Sequence, residues 1–225
     1  MIQAQAPNVT SEGNGLLLVE GIDDRHAISH IFCSATDGKP AFSIEDCGND
    51  TAVLEKLSSV VVGSENTKSV LGAVLDADAD TGVAARLQSI RRLLESAYEI
   101  PEVFPPEGLI LKPRADRDRL PKIGVWLMPD NVRDGIFEDL LRAAMAPESE
   151  KYISSVVDKA KDDQMASFRD VERSKAIVKT YIAWRDPKMK NLGEAISGKH
   201  FDNLAPACRS FLGWLNRLFR EEVQP

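Results

Sequence analysis

The 225-residue sequence contains no run of about 18 uncharged apolar residues; its longest apolar stretches, 15–19 and 72–75, have the length of strands. A membrane-spanning helix is therefore not expected. The first fifteen residues lack both a basic leader and an apolar core, which predicts a loose tail over 1–14 rather than a secretory signal, with a cytoplasmic setting as the default. Cysteine is scarce as well. Cys33, Cys47 and Cys208 are odd in number and widely spaced, which argues against a disulfide framework or a zinc pair and predicts buried free thiols. His26 and His30 fall on one helical face without other soft ligands, so they make a poor zinc site. The sequence has no Gly-x-x-x-x-Gly-Lys-Ser/Thr phosphate loop, and Tyr98, Tyr152 and Tyr181 sit in predicted helices without a motif that would make one a nucleophile.

What the sequence does have is enough apolar residues, 43%, for a substantial core, and 28% charged residues, unevenly spread. Residues 1–100 hold 7 Lys or Arg against 15 Asp or Glu, while residues 173–225 hold 10 against 5, so the net charge of −7 comes from the front of the chain. Periodicity predicts strands over 16–20, 41–44, 69–75, 108–112 and 123–128. Helices are expected after residue 22 and over 52–62, 82–98, 134–145, 151–165, 171–184 and 204–219. On the 82–98 helix, Val83, Leu87, Ile90 and Leu94 form the apolar face and Arg86, Gln88 and Arg91 fall largely on the other. Strands alternating with helices of ten or more residues indicate an α/β core with a mostly parallel sheet covered by helices on both faces. The expected organisation is a tail over 1–14, an α/β core over 15–146 and a helical C-terminal extension over 147–225 packed on that core.

In an open parallel sheet, ligands bind beyond the carboxyl ends of the strands. Acidic residues collect there: Glu20 closes the first strand, Asp76 and Asp78 the third, and Asp130 follows the 123–128 strand. Asp24 comes four residues after Glu20, about one helical turn on. Carboxylates gathered in a cleft repel one another unless a proton or cation compensates, and their hard oxygens suit Mg²⁺ or Mn²⁺. The two-residue spacing lets Asp76 and Asp78 point to one side of the rim. An Asp-x-Asp pair alone also occurs in dehalogenase-like phosphatases, glycosyltransferases and plain acidic loops, which leaves a metal site and a solvated turn both open.

Leu17-Leu18-Val19-Glu20-Gly21-Ile22-Asp23-Asp24, followed some 50 residues later by Val74-Leu75-Asp76-Ala77-Asp78, resembles the Toprim domain. That family includes topoisomerases, bacterial primases, small ribosomal-RNA maturases and the nuclease half of overcoming-lysogenization-defect proteins. The acid four residues after Glu20 is most similar to the last branch. Pro129-Asp130-Asn131 leading to Gly135-Ile136-Phe137-Glu138-Asp139-Leu140 resembles the downstream acidic motif of small stand-alone members, and Ala183-Trp184-Arg185 with Trp214-Leu215-Asn216-Arg217-Leu218-Phe219 resembles the tail of an uncharacterised bacterial Toprim-like group. The resemblance spans about residues 15–145. It implies that Glu20, Asp24, Asp76 and Asp78 hold divalent metal, with Glu138 as a further ligand and Asp80 and Asp130 as weaker candidates.

The expected activity is metal-dependent phosphodiester hydrolysis of DNA or RNA, with Glu20, Asp76, Asp78 and Glu138 catalytic and Mg²⁺ or Mn²⁺ as cofactor, a two-metal site included. Lys112, Arg114 and Arg117, with Arg119 and Lys122 in the same segment, and Lys175 with Lys179 are the candidate phosphate contacts. Trp184 and Trp214 read as core anchors. Two alternatives stand beside this one. The first is a non-catalytic metal- or phosphate-binding module with a protein partner in a defence or toxin-type system. The second is a small-molecule phosphoesterase, against which Glu20 occupies the first-strand position that a dehalogenase-type nucleophilic Asp would need.

Overall fold

Leu17, Leu18 and Val19 end a buried strand that stops before Glu20-Gly21, after which the acidic Asp23 and Asp24 lie in the first turn of a helix. This strand-turn-helix step repeats along the chain. In the computed structural model, which describes residues 14–36, 40, 42–61, 68–78, 81–189 and 191–220, the elements are β1 (Gly15–Val19), α1 (Ile22–Thr36), β2 (Ser43–Asp46), α2 (Asp50–Val61), β3 (Val70–Asp76), α3 (Gly82–Leu94), β4 (Leu109–Leu111), β5 (Lys122–Met128), α4 (Phe137–Ala143), α5 (Pro147–Asp162), α6 (Arg173–Arg185), α7 (Leu192–Ser197) and α8 (Pro206–Phe219). Apart from Asn14, the expected tail lies outside the described residues, as does Asp80.

The sheet order is β2-β1-β3-β5-β4. β1, β2, β3 and β5 run parallel, and β4 pairs antiparallel with β5, Leu111 opposite Ile123. The α/β class read from periodicity is the one observed. Because successive strand residues point to opposite faces, the strands feed two separate cores. Leu17, Val19, Val74, Trp126 and Met128 join α1 and α4 to α8 on one face; Leu18, Leu71, Ala73, Leu75, Val125 and Leu127 join α2 and α3 on the other. The C-terminal helices thus share one apolar cluster with the sheet and α1. Each fully buried Leu, Ile or Phe there is worth about 1.5–3 kcal/mol of transfer free energy.

Helix α8 approaches the sheet closely where side chains are missing. Gly72 and Gly124 are register partners on β3 and β5, and a Cβ on Gly124 would meet Leu218 Cδ2 at 2.5 Å. Trp214 is buried beside Trp126, ring centroids 5.8 Å apart, and its indole N–H donates to the carbonyl of Leu109 at 3.1 Å.

Several expectations need correction. Trp184 is 55% exposed and anchors no core; it lies beside exposed Tyr152. Of the cysteines, which are all free, only Cys208 is buried, and burial pushes its thiol up to about 11. Arg86, expected on the solvent face of α3, is 4% exposed. Helix α7 was not foreseen; its six residues are too few for a legible apolar period. No helix among the described residues is long and apolar enough to cross a membrane.

Candidate functional site

Parallel strands bring their carboxyl ends to one edge, and the acidic residues that close them follow. β1 and β3 are hydrogen-bonded neighbours, so Glu20 and Asp76 emerge side by side. The backbone N–H of Asp76 donates to Glu20 Oε1 at 2.7 Å. Asp76 Oδ1 in turn accepts the N–H of Phe137, at the start of α4, at 2.9 Å. That bond, with the Ala77–Gly135 bridge, fixes the first turn of α4 against the end of β3. Glu138 is the next residue on α4. Asp24, in the first turn of α1, accepts the N–H of Gly21 at 3.1 Å, as a capping acid should.

Glu20, Asp24, Asp76, Asp78 and Glu138 all line a single cavity of about 560 Å³. Of the seven carboxylates considered in the sequence, the structure therefore brings together the five principal ones. Eight acidic side chains in all face this cavity, against Arg86, Arg169 and Lys175. The electrostatics follow from that excess. Burial pushes Asp76 well above the ordinary carboxylate range, and Glu20, Asp24 and Glu138 push it the same way. Burial, then Glu138, pushes Asp24 up to about 7. Burial raises Glu138 too, opposed by Lys175 and Lys179. Burial also raises Glu20, opposed by the Asp76 N–H and by Arg86.

Asp78 is half-buried and accepts the N–H of Thr81 at 3.1 Å, which turns the chain into α3. Asp130 is not part of this site. It accepts the N–H groups of Val132 and Arg133 and pairs with the Arg133 side chain, bonds that outweigh its burial and hold its carboxyl low. His26 and His30 form no metal cluster, and His30 Nδ1 instead lies 2.7 Å from Ser197 Oγ.

The basic candidates separate. Lys175 lines the cavity, and Lys179, one turn further along α6, acts electrostatically on Glu138. The α6 start is tied to α4 by the Ser174 hydroxyl, which donates to Asp139 Oδ1 at 2.5 Å; Arg142 bonds both partners. Neighbouring residues 138 and 175 are thereby held across the cavity. Lys112, Arg114 and Arg117 are not brought to it. They lie in the connection from β4 to β5, and because β4 is antiparallel to β5 that connection is at the start of β5, the opposite edge of the sheet. A seven-residue strand puts about 20 Å between the two edges. Arg114 donates there to the carbonyl of Glu95, just beyond α3.

The charged cavity residues that the sequence reading does not single out include Asp50, Arg86, Arg169 and Glu172. Asp50 starts α2, two residues before the helix expected over 52–62, and Arg86 is expected on the face of α3 opposite its apolar stripe. The available signal was that α3 starts at the carboxyl edge, which turns residues of its first turns toward the strand ends.

A divalent cation fits the donor type, since one oxygen each of Glu20, Asp24 and Asp76 is occupied by a backbone N–H and the cavity keeps an excess of hard, uncompensated carboxylates. The spacing is that of an open pocket: among the described residues no three His, Cys, Asp or Glu side chains are drawn together around one point.

The sequence matches, over residues 14–220, the family model described as a protein of unknown function, DUF3226. No curated protein matches it. Among solved structures, the C-terminal region of the Burkholderia pseudomallei OLD protein is similar over 93% of this chain and 100% of that one, at 16% identity and a TM-score of 0.46. The C-terminal region of the Xanthomonas campestris pv. campestris OLD protein is similar over 92% of this chain and 96% of that one, at 15% identity and a TM-score of 0.45.

Proposed function

The chain belongs to the DUF3226 family, and from the chemistry of its own acidic cavity we propose that it is a divalent-metal-dependent hydrolase of nucleic-acid phosphodiester bonds. The observation that carries this reading is the convergence of Glu20, Asp24, Asp76, Asp78 and Glu138 on one cavity with Lys175 at its side. The five carboxylates are the residues that would hold Mg²⁺ or Mn²⁺. When bound, such an ion supplies charge neutralisation for a phosphate and a lowered pKa for water.

The remaining roles belong to the chain. Glu20 is fixed at Oε1 by the Asp76 N–H, and burial raises its pKa, which favours its taking a proton from water. As the water oxygen bonds to phosphorus, one of its protons passes to Glu20, and the P–O bond to the sugar oxygen breaks with its electron pair on that oxygen, which takes a proton from solvent to leave as a hydroxyl. Lys175 occupies the first turn of α6, where the helix dipole already favours an anion. With Lys179 it meets the phosphate backbone, and Ser174 and Asp139 hold that face in register with Glu138. A cytoplasmic setting accompanies this reading.

The test is cleavage of plasmid DNA and of single-stranded RNA with Mg²⁺ or Mn²⁺, by the unaltered protein and by Asp78→Ala. Cleavage that needs the metal and disappears in the folded variant supports the reading; equal, metal-independent activity in both overturns it. Turnover of a chromogenic phosphomonoester without polymer cleavage would transfer the site to small phosphoesters.

A further inference from the structure

We propose that Arg86, buttressed by Asp50, is a positioning residue of the acidic cavity: it fixes the end of β3, and through the Asp76 backbone it fixes Glu20, so that the carboxylates face one another without Arg86 itself taking any of the oxygens of Glu20, Asp24, Asp76 or Asp78. This inference rests on the hydrolase reading for the meaning of the cavity.

Asp76 is held at three points. Its N–H donates to Glu20 Oε1 at 2.7 Å, its Oδ1 accepts from Phe137 N–H at 2.9 Å, and its carbonyl accepts from Arg86 Nε at 2.9 Å. The same guanidinium donates from Nη1 to Asp50 Oδ2 at 2.8 Å. One planar fork therefore joins the end of β3, the start of α2 and the body of α3. The Arg86 side chain is 5% exposed, whereas that of Asp50 is 37% exposed.

Burial at that level costs a guanidinium much of its hydration, and a single carboxylate partner at the rim is a modest return for stability alone. Where Arg86 makes its bonds points to orientation. Its donors go to a backbone carbonyl and to Asp50, and none goes to Glu20, Asp24, Asp76 Oδ or Asp78, which stay open to the cavity. A salt bridge to any of those four would have taken one carboxylate out of the set that faces the cavity. Lysine cannot replace this arrangement, since an ammonium is a point charge and does not present two fixed donors in one plane.

The experiment compares the full chain with Arg86→Lys, Arg86→Gln and Asp50→Asn, using Mn²⁺ alone as the calorimetric ligand and steady-state cleavage of a labelled oligonucleotide as the second readout. Circular dichroism establishes folding. Arg86→Lys is expected to weaken Mn²⁺ binding about 10-fold or more, the usual effect of removing a group that orients metal ligands, and to lower kcat with KM within about 2-fold. Arg86→Gln should be at least as impaired. Asp50→Asn, which keeps the acceptor and removes the charge, should fold as the parent does and lose less.

Unchanged Mn²⁺ affinity and kcat in folded Arg86→Lys and Asp50→Asn would overturn the inference and leave the hydrolase reading standing. A raised KM at constant kcat would overturn it in favour of direct substrate contact. If Arg86→Lys does not fold, Asp50→Asn with parental affinity and kcat still overturns it. If the parent protein binds Mn²⁺ and cleaves nothing while Arg86→Lys binds more weakly, the hydrolase reading fails and the positioning role holds. If the parent binds no Mn²⁺, both fall.

Discussion

The two edges of the sheet carry opposite charge, and the sequence does not say that they are opposite edges. At the carboxyl edge, Glu20, Asp76 and Asp78 follow parallel strands and meet in one cavity with Asp24 and Glu138. At the other edge, Lys112, Arg114 and Arg117 occupy the connection between β4 and β5. In linear order this basic segment comes between the acidic motifs and reads as their counterpart. A single antiparallel strand sends it away, because reversing β4 reverses the edge at which its loop emerges. Charge runs identify chemistry; strand direction decides which chemistries share a site.

The largest effect should come from the acidic edge. Asp76→Asn keeps an acceptor for the Phe137 N–H but removes the most buried of the site charges. Metal-dependent cleavage should fall by on the order of 10³-fold or more, as for loss of a group acting in the transition state. Thermal melting of the metal-free protein at pH 8 should nonetheless rise, since the variant removes repulsion. A fall in both would show a structural carboxylate instead of a site.

Next in size is the basic side of the same edge. The double variant Lys175→Ala with Lys179→Ala should weaken oligonucleotide binding by about 10-fold at low salt and make the dependence of log K on log salt shallower by about 1.4 for a single strand. Fluorescence anisotropy over a salt series measures both. An unchanged slope would remove α6 from the substrate path.

The sign of pH dependence offers a third test. Asp24 is raised from 3.8 to about 7, so the folded state holds its proton more tightly than the unfolded state does. Its contribution to stability is fully present below pH 3.8 and is lost as pH rises through about 7, at a cost of at most about 4 kcal/mol. Asp50 and Asp158, held low chiefly by Arg86 and Arg173, contribute the other way and lose their stabilisation in acid. The metal-free protein should therefore be more stable near pH 5 than at pH 8. Asp24→Asn should raise the pH 8 melting temperature most and have a diminishing effect toward pH 4; an increase independent of pH would mean that Asp24 is not the titrating group.

These contrasts also show what could be read from the chain. β1, β3 and β5 are legible because each is a short apolar run, whereas β2, Ser-Ile-Glu-Asp, starts two residues beyond the start of the strand expected over 41–44; the carboxylates of the cavity are legible because they close two of those runs or follow on the next helix. Nothing in the composition of 109–111 distinguishes an antiparallel edge strand from a parallel one, and so the sequence does not show at which edge the basic loop emerges. Arg86 was misplaced for a related reason. Helical periodicity separates an apolar stripe from a polar one, but it cannot register that the first turns of α3 sit over the end of β3, where a buried carbonyl and Asp50 offer a cation two partners. Trp184 erred in the opposite direction: its residue type predicts burial, and only the packing of α5 on α6 leaves it outside.

The smallest expected effect sharpens the comparison most. The triple variant Lys112→Ala, Arg114→Ala, Arg117→Ala removes three exposed cations from the far edge and one tie to the end of α3, the Arg114 bond to the Glu95 carbonyl. Screening over a Debye length of about 8 Å at physiological salt leaves little of their field at a cavity some 20 Å away. Cleavage of a short oligonucleotide should therefore change by less than about 2-fold, and melting temperature should fall by no more than a few degrees. Substrate length separates local from extended contact: an oligonucleotide of about three bases, roughly 10 Å at 3.4 Å per nucleotide, cannot reach both edges, whereas a duplex of about 30 base pairs can. Equal indifference with both substrates places all recognition at the carboxyl edge. A loss confined to the long duplex would mean that nucleic acid wraps the sheet from one edge to the other, and the basic loop would then be a second, remote contact.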